Sequence, residues 1–212
     1  MNNLELEYAR RRKNCLVHIA EHLEDFLKRV VKDYPRIDHI SVRAKGVDRF
    51  VIKANKKIDD VPKYSDPLNQ IVDQVAGRIT TFYERDVDEI SSLIQEYFSA
   101  IEIKEMEPDS NLEFGYFGKH FILPIPSDVL PEQSDSAPPE HFELQIKTLH
   151  QHAWSEASHD LDYKPEFGSL TNEQRRLIAY AAAQAWGADR IFSEIALERI
   201  FASLNEQNSK VN

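Results

Sequence analysis

A switch in hydrophobic period near residue 148 constrains the fold of this chain more than any other feature. Over 142–147 apolar and polar residues alternate, which is typical of a β-strand with one polar face. From residue 150 onward, polar side chains instead recur at intervals of four, three and four, the spacing of one helical face. The polar residues are Glu143, Gln145 and Lys147 on the strand and His152, Glu156, His159 and Tyr163 on the helix. Because a polar strand face is costly to bury without partners, this strand–helix unit indicates a site that meets solvent, a metal or a ligand.

Length and composition favour one globular domain. The 212 residues, 42% hydrophobic and 29% charged, are sufficient for a single domain over 1–212 with its own core. No apolar run approaches the roughly 20 residues that span a bilayer, and residues 1–7 lack an apolar signal core. The single cysteine, Cys15, excludes an intrachain disulfide and favours a reducing compartment. We therefore expect a cytoplasmic protein without a membrane partner.

The charges are distributed unevenly along the chain. The net charge of −10 argues against a nucleic-acid coat or a membrane-surface protein. Residues 1–58 nevertheless carry 14 Lys or Arg and 8 Asp or Glu, a net charge of +6, and the remainder carries −16. A basic first quarter favours an anionic ligand such as a nucleoside triphosphate. The run Arg10–Lys13 by itself is typical of a solvated helix face.

The periodicity predicts helices interleaved with strands. Helices are expected over about 4–34, 46–57, 86–100, from 150 onward and over 171–204, the last opened by a Thr171-x-x-Gln174 capping box. Strands are expected over 39–43, 75–83, 101–107, 113–123 and 142–148. The segments 58–68 and 124–140 carry prolines and are expected to be loops. This order predicts an α+β (mixed α/β) fold, a mixed sheet flanked by helices.

Two clusters of charged residues favour a site for phosphates and a metal. Arg43, Lys45 and Lys53 fall at a strand end, in a glycine-containing turn and on the next helix, where cations grip phosphates and a guanidinium stacks on a base. Asp73 directly precedes an apolar strand that carries Arg78. Carboxylates in such positions hold Mg²⁺ together with substrate phosphates. Solvated side chains, or a helix-end acid, are the alternatives for each cluster taken alone.

A third cluster, residues 115–120, favours a surface on which a flat ring can lie. Tyr116, Gly118 and His120 share one strand face, and the glycines let a ring approach the backbone. The alternative is a bulge with Tyr116 in the core. The fourth cluster is the strand–helix unit itself, where Glu156 and the two histidines around it also permit a helical metal site, although no further ligand set is evident.

Taken in order, these four clusters resemble the synthetase domain of the RelA/SpoT family, which makes the alarmone (p)ppGpp. The resemblance covers roughly residues 39–165. The family's Arg-x-Lys, with a further Lys eight residues later, matches Arg43, Lys45 and Lys53. Its Asp-x-x-x-x-Arg-Ile and Gly-Tyr-x-x-x-His match Asp73, Arg78, Ile79, Gly115, Tyr116 and His120. Its Glu-x-Gln-Ile-Arg-Thr, Trp and His-x-Leu-x-Tyr-Lys match Glu143, Gln145, Ile146, Thr148, Trp154, His159, Leu161, Tyr163 and Lys164.

The resemblance implies a nucleotidyltransferase-like fold and Mg²⁺-dependent transfer of the β,γ-pyrophosphate of ATP to the 3′-hydroxyl of GDP or GTP. It implies that Arg43 and Arg78 sandwich the adenine and that Lys45 and Lys53 hold the ATP phosphates. Asp73 would bind Mg²⁺, and Glu143 would act on the 3′-hydroxyl as a base or as a second Mg²⁺ contact. Tyr116 would stack on the guanine, and the residues lining the acceptor side would be His120, Gln145, Lys147 and His159. Relatives are often tetramers, so the resemblance also implies a homo-oligomer.

Three positions depart from the family pattern. Arg49 stands where the family usually has Ser, Lys147 where it has Arg, and Ser158 where an acid often precedes the motif's His. Such changes permit another acceptor, and the basic first quarter is compatible with tRNA. Two alternatives therefore stay open. One is a toxin-type pyrophosphotransferase acting on the tRNA 3′ end or an adenine nucleotide, with an antitoxin partner, and the other is a weakly active nucleotide-binding regulator.

Overall fold

The computed structural model of this chain describes residues 3–106, 110, 113–115, 118–163 and 168–211, with the backbone alone at 162, 163 and 203–211. The strands are β1 (Ile37–Ala44), β2 (Lys57–Ile58), β3 (Val61–Pro62), β4 (Val75–Thr81), β5 (Glu102–Met106), β6 (Gly118–Pro124) and β7 (His141–Thr148). The α-helices are α1 (Asn3–Arg11), α2 (Val17–Val30), α3 (Val47–Ala54), α4 (Pro67–Gln70), α5 (Glu84–Tyr97), α6 (Leu149–Tyr163) and α7 (Asn172–Val211). Among the described residues, no helix is both long and apolar enough to cross a bilayer.

Five strands form one mixed sheet in the order β1-β4-β7-β6-β5. Strands β4 and β7 run parallel, whereas the β1–β4, β7–β6 and β6–β5 pairs are antiparallel. The short strands β2 and β3 pair separately as a hairpin. This architecture confirms the predicted mixed sheet flanked by helices, while the division into a single domain over 1–212 stays a prediction.

The two faces of the sheet differ in chemistry because side chains alternate along each strand. On one face Val75, Ile79, Phe142, Leu144 and Ile146 are fully buried. Helices α2 and α5 cover this face with their own apolar residues, among them Leu23, Leu27, Ile90 and Ile94. Burial of an apolar face of this kind is the dominant favourable term in folding. The opposite face is therefore left with the polar side chains of β4, β6 and β7.

The predicted helix over 4–34 is interrupted. It consists of α1, a π-helical segment Arg12–Leu16 and α2, which ends at Val30. A π-helical turn shifts the helical face on either side of it. The interpretation of Arg10–Lys13 as a solvated face is wrong for Arg11, which is buried and donates from Nε to the Ala137 carbonyl at 2.8 Å.

Two further predictions differ from the structure in detail. The segment 58–68 includes the β2–β3 hairpin, whose turn residues Asp59 and Asp60 have φ of 50° and 63°. These left-handed conformations suit a two-residue hairpin turn, and Asp tolerates them better than most residues. The strand predicted over 113–123 is β6, which starts at Gly118, because residues 113–115 have no regular structure.

A capping box that the sequence analysis missed begins helix α6. The Thr148 N–H donates to Gln151 Oε1 at 3.0 Å, and the Gln151 N–H donates to Thr148 Oγ1 at 3.1 Å. The same hydroxyl donates to Asp189 Oδ2 at 2.7 Å, and the ring of His150 lies 3.0 Å from Asp189 Oδ1. Helix α7 is thus attached to the junction of β7 and α6 through one buried acid. The predicted Thr171–Gln174 box at the start of α7 is confirmed by reciprocal hydrogen bonds of 2.8 and 3.2 Å.

Substitution of Gly77 tests the packing of α2 on the sheet. A Cβ at this position would lie 3.1 Å from Leu144 Cδ1 and 3.4 Å from Leu27 Cδ1, so there is no room for a branched side chain. We expect Gly77→Val to lower the free energy of unfolding by about 1–3 kcal/mol through overpacking, as measured by urea denaturation. Gly187→Ala is the control, because a Cβ there has open space and favours the helix. Equal stability of Gly77→Val and the wild type would contradict this account.

Candidate functional site

The polar face of the sheet gathers the predicted site residues from three strands. In the register of β4, β7 and β6, Arg78 lies opposite Gln145 and His120 lies opposite Gln145 from the other side. Glu143 lies two residues before Gln145 on β7, opposite Ala76. The side chains of these pairs point to the same face, so Gln145 is flanked by a guanidinium and an imidazole.

A carboxylate between two ammonium groups occupies the entrance to β4. Asp73 Oδ2 lies 2.9 Å from Lys45 Nζ and 2.8 Å from Lys53 Nζ. Lys45 follows β1, Lys53 is on α3, and Asp73 is in the 3₁₀ turn 72–74, so three elements converge. Within the described part of the chain, Asp73 Oδ1 is buried and has no hydrogen-bond partner. An oxygen in that state is suited to accept a further ligand.

Buried polar contacts hold this entrance in place. The Lys45 N–H donates to the Gln74 carbonyl at 2.8 Å, which fixes β1 beside the turn. The amide Nε2 of Gln74, which is 1% exposed, donates to the Leu68 and Ile71 carbonyls at 2.8 and 2.9 Å. From α1, the Tyr8 hydroxyl donates to the Lys45 carbonyl at 3.0 Å. Sequence reasoning missed Gln74 and Tyr8, because irregular turns and single aromatic residues of a helix have no periodic signal.

Glu143 is held as an ionised carboxylate. The ring Nδ1 of His120 lies 3.1 Å from Glu143 Oε1, and Gln145 Nε2 donates to the same oxygen at 2.7 Å. Burial by itself would raise the pKa of Glu143, but these hydrogen bonds and the charges of His120 and Lys53 lower it to about 2. The influence of Lys53 connects Glu143 electrostatically with the ion cluster at Asp73.

Helix α6 supplies the partners of Arg78. Glu156 Oε1 lies 2.8 Å from Arg78 Nη2, and Arg78 Nη1 donates to a ring nitrogen of His152 at 3.2 Å. Arg43 lies on the neighbouring strand β1, on the same face as Arg78 and two residues out of register, and is exposed. Two guanidinium groups thus lie on adjacent strands and on one face of the sheet, with Arg43 level with Ala76 and Glu143.

The remaining predicted site residues lie around the polar side chains described above. Lys147 is 2% exposed, and its Nζ donates to Ser155 Oγ of α6 at 3.1 Å. His159 is exposed, one turn beyond Ser155 on the same helical face. Tyr116 lies outside the described residues, so its predicted stacking role stays a prediction.

The residues at the entrance to β4 fit Mg²⁺ better than a transition metal. No group of three or more His, Cys, Asp or Glu side chains positioned to hold a metal is found in the described part of the chain. The alternative metal site on α6 is not supported, since His152 and Glu156 are both engaged with Arg78. Mg²⁺ is commonly bound by one or two carboxylates together with substrate phosphates and water. The buried, unpartnered Oδ1 of Asp73 suits that mode of binding.

The burial of the Lys147 ammonium predicts a pH-dependent contribution to the free energy of unfolding. Burial, with a smaller contribution from the charge of Arg78, lowers the pKa of Lys147 from 10.5 to about 8. Between these two values the unfolded chain binds more protons than the folded chain, so this group makes stability rise with pH. Lys147→Met should therefore be the more stable protein at pH 7. The excess in free energy of unfolding of Lys147→Met over the wild type should shrink by on the order of 3 kcal/mol between pH 7 and pH 10.5.

Urea denaturation of both proteins at several pH values measures this difference, since the other titrating groups cancel in the comparison. Lys32→Met, at an exposed position, is the matched control and should show no such trend. A stability difference between Lys147→Met and the wild type that does not change with pH would show that the ammonium carries no burial penalty.

Comparisons with known proteins identify the family and the fold of this chain. Residues 42–167 match the family model described as "Region found in RelA / SpoT proteins". No curated protein matched the chain. Among solved structures, small alarmone synthetase 1 from Bacillus subtilis has a TM-score of 0.68 at 21% identity, with 84% of this chain and 91% of that chain covered.

Two further structures share the fold. Small alarmone synthetase 2 from Bacillus subtilis has a TM-score of 0.69 at 18% identity, with 92% of this chain and 97% of that chain covered. A GTP pyrophosphokinase family protein from Streptococcus pneumoniae has a TM-score of 0.66 at 18% identity, covering 86% and 90%. The family match spans more than half of the 212 residues and includes nearly every element of the site, so this chain belongs to the RelA/SpoT family.

Proposed function

We propose that this protein catalyses Mg²⁺-dependent transfer of pyrophosphate from ATP to the 3′-hydroxyl of GDP or GTP, which makes (p)ppGpp. The observation that carries the proposal is Asp73, whose Oδ2 binds two lysines while its buried Oδ1 has no partner in the described part of the chain. Two cations beside an available carboxylate oxygen suit a metal-bound polyphosphate. The structures of Bacillus subtilis synthetase 1 bound to pppGpp and to AMPCPP support nucleotides of this class as ligands.

In this proposal the donor lies along β4. Lys45 and Lys53 exchange part of their contact with Asp73 for contact with the phosphates. There they offset the charge that develops during transfer. Arg43 and Arg78 take the adenine between their guanidinium groups. Mg²⁺, when bound at Asp73 and Glu143, would neutralise phosphate charge and orient the phosphates. The new bond joins the acceptor 3′-oxygen to the β-phosphorus, and the 3′-hydroxyl proton is released to solvent. The bond from the β-phosphorus to the α,β-bridging oxygen breaks, and AMP leaves with that oxygen.

The low pKa of Glu143 favours one of the two roles expected for this residue, which are a base for the 3′-hydroxyl and a contact to Mg²⁺. With a pKa of about 2, Glu143 is ionised throughout the physiological range and is a weak proton acceptor. An ionised, hydrogen-bonded carboxylate favours contact with Mg²⁺ over removal of the 3′-hydroxyl proton. We therefore propose Glu143 as a metal contact, with the acceptor nucleotide alongside His120 and Gln145. Tyr116, Lys147 and His159 remain proposed acceptor-side residues on the family resemblance.

Self-association through α7 is a second part of the proposal. Several large apolar side chains of this helix are at least two-fifths exposed, namely Leu177, Tyr180, Trp186, Ile191, Phe192, Ile195 and Phe201. Large exposed apolar side chains along one helix favour association with another chain. The family resemblance makes a homo-oligomer the expected assembly. The buried position of the single cysteine, Cys15, is compatible with the proposed cytoplasmic location.

Transfer of label from γ-labelled ATP tests the reaction. The protein is incubated with Mg²⁺ and, in turn, with GDP, GTP, ATP and deacylated tRNA, and the products are separated. We expect label in ppGpp and pppGpp. Label in tRNA alone, or in an adenine nucleotide alone, would instead establish the toxin-type activity, and absence of transfer to every acceptor would favour a nucleotide-binding regulator.

Two substitutions test the assigned carboxylates. Asp73→Asn and Glu143→Gln should each lower kcat by at least about 100-fold, since each removes a charge that faces the transferring group. Asp25→Asn and Glu96→Gln are matched controls at exposed positions and should leave kcat unchanged. Urea denaturation verifies folding. Transfer near the wild-type rate in both site variants would refute the assigned roles.

Static light scattering tests the proposed assembly. We expect the wild type to have a mass above that of one chain, and Ile191→Glu to shift it toward the monomer, because a charge in an apolar interface is left unpaired. Ile58→Glu on the β2–β3 hairpin adds the same charge at an equally exposed isoleucine and is the control. A monomeric wild type would contradict the proposed assembly but not the reaction.

A further inference from the structure

One face of α6 lies against two cations of the sheet. His152, Ser155 and Glu156 are spaced three and one residues apart, so they share this face. Ser155 Oγ accepts from Lys147 Nζ at 3.1 Å and donates to the His152 carbonyl at 3.0 Å. His152 and Glu156 bind the two terminal nitrogens of Arg78. Helix α6 therefore organises the end of the site where Arg78 lies.

The orientation of the Arg78 guanidinium depends on these two contacts. Its Nε is buried and has no hydrogen-bond partner among the described residues. Glu156 Oε1 lies 2.8 Å from Nη2, and the ring of His152 accepts from Nη1 at 3.2 Å. Contacts to the terminal nitrogens of a planar guanidinium act at its edge and leave its faces available for stacking. Without Glu156, one weak contact to a neutral ring would remain.

Glu156 is a carboxylate surrounded by positive charge. Although burial raises the pKa of Glu156, the positive charges around it, first of all that of Arg78, outweigh this effect and lower the pKa. The pKa of His152 is itself lowered by burial and by Arg78, so its ring is neutral at pH 7 and accepts a hydrogen bond. Glu156 therefore supplies the negative charge that holds Arg78 beside other cations.

The position of Glu156 along the site separates it from the phosphates. Arg78 is three residues beyond Val75, the first residue of β4, which places its backbone roughly 10 Å along the strand from the entrance that Asp73 occupies. A carboxylate at that distance does not compete with phosphates for Lys45 and Lys53. Its effect is confined to the end of the site where a nucleotide base would lie.

We propose that Glu156 is a positioning residue that fixes the Arg78 guanidinium as one wall of the donor-nucleotide base site. The inference rests on the proposed function, because it takes ATP as the ligand whose ring lies on Arg78. A guanidinium held in its stacking orientation before binding loses less freedom when the ring arrives, which strengthens binding of ATP. Because the contact is remote from the phosphates, it contributes to donor affinity and not to the rate of transfer.

Steady-state kinetics of Glu156→Gln test the inference. The substitution removes the charge and keeps the shape, so we expect KM for ATP to rise about fivefold, the upper range of a partly exposed ion pair. The kcat and the KM for GDP should stay within about twofold of the wild type. Glu96→Gln, the same change at an exposed position on α5, should alter neither. An unchanged KM for ATP, or an equal loss in kcat, would overturn the proposal.

A double-mutant cycle distinguishes positioning from a general structural effect. In an Arg78→Ala background, Glu156→Gln should have no further effect on ATP affinity, since its target is gone. A fivefold weakening that persists in this background would show that Glu156 acts elsewhere, and would overturn the proposal.

Direct binding of ATP by calorimetry, without an acceptor, separates this inference from the proposed reaction. ATP binding that is weakened by Glu156→Gln supports the inference even if the wild type transfers pyrophosphate to none of the acceptors. Wild-type transfer together with equal ATP affinity in the wild type and Glu156→Gln overturns the inference alone. No ATP binding by the wild type overturns both.

Discussion

Asp73 brings together three separate pieces of the chain, namely the end of β1 through Lys45, helix α3 through Lys53, and the entrance of β4 on which it lies. Two ammonium groups within 3 Å of one oxygen would repel each other strongly without a carboxylate between them. The convergence of the lysines is therefore a consequence of Asp73, and the backbone contact from Lys45 to Gln74 prevents the turn from moving away. In the proposed function, an entering phosphate would take over the lysines while the second oxygen of Asp73 serves a metal.

The parallel pairing of β4 and β7 places the second carboxylate near this cluster. Parallel strands start at the same edge of a sheet, and Glu143, near the start of β7, is opposite Ala76 near the start of β4. The charged groups that follow, Arg78 on β4 and Lys147 on β7, lie further along the same direction. The site therefore has two ends, carboxylates with lysines at the strand entrances and the Arg78 guanidinium toward α6. This polarity matches an elongated ligand with phosphates at one end and a ring at the other.

The sequence predicted the main helices, the five strands of the sheet and the charged residues that the structure gathers on one polar face, because strand alternation and motif spacing are local properties. The alternation over 142–147 predicted both the strand and its polar face, and the motif around Asp73 predicted an acid at a strand entrance. Contacts made across long sequence separations were not predictable in this way. The charge pattern predicts a solvated Arg11, yet this side chain reaches the Ala137 carbonyl 126 residues away. The partners of Arg78 come from α6, 74 and 78 residues further along the chain. Helical spacing suggested a metal site for His152 and Glu156. A spacing pattern does not show that Arg78, a cation of the sheet, lies opposite these two side chains.

Two departures from the family pattern, Lys147 and Ser158, are parts of one charge arrangement. An arginine at 147 would bring five donors into a place where Lys147 is 2% exposed and donates to Ser155. A lysine has fewer donors to satisfy, and burial together with the charge of Arg78 lowers its pKa to about 8. Ser158 lacks the acid that often precedes the motif's His, while Glu156, two residues earlier, lies where it can pair with Arg78. The ammonium of Lys147 below α6 and the carboxylate of Glu156 on α6 together set the charge around Arg78 at that end of the site.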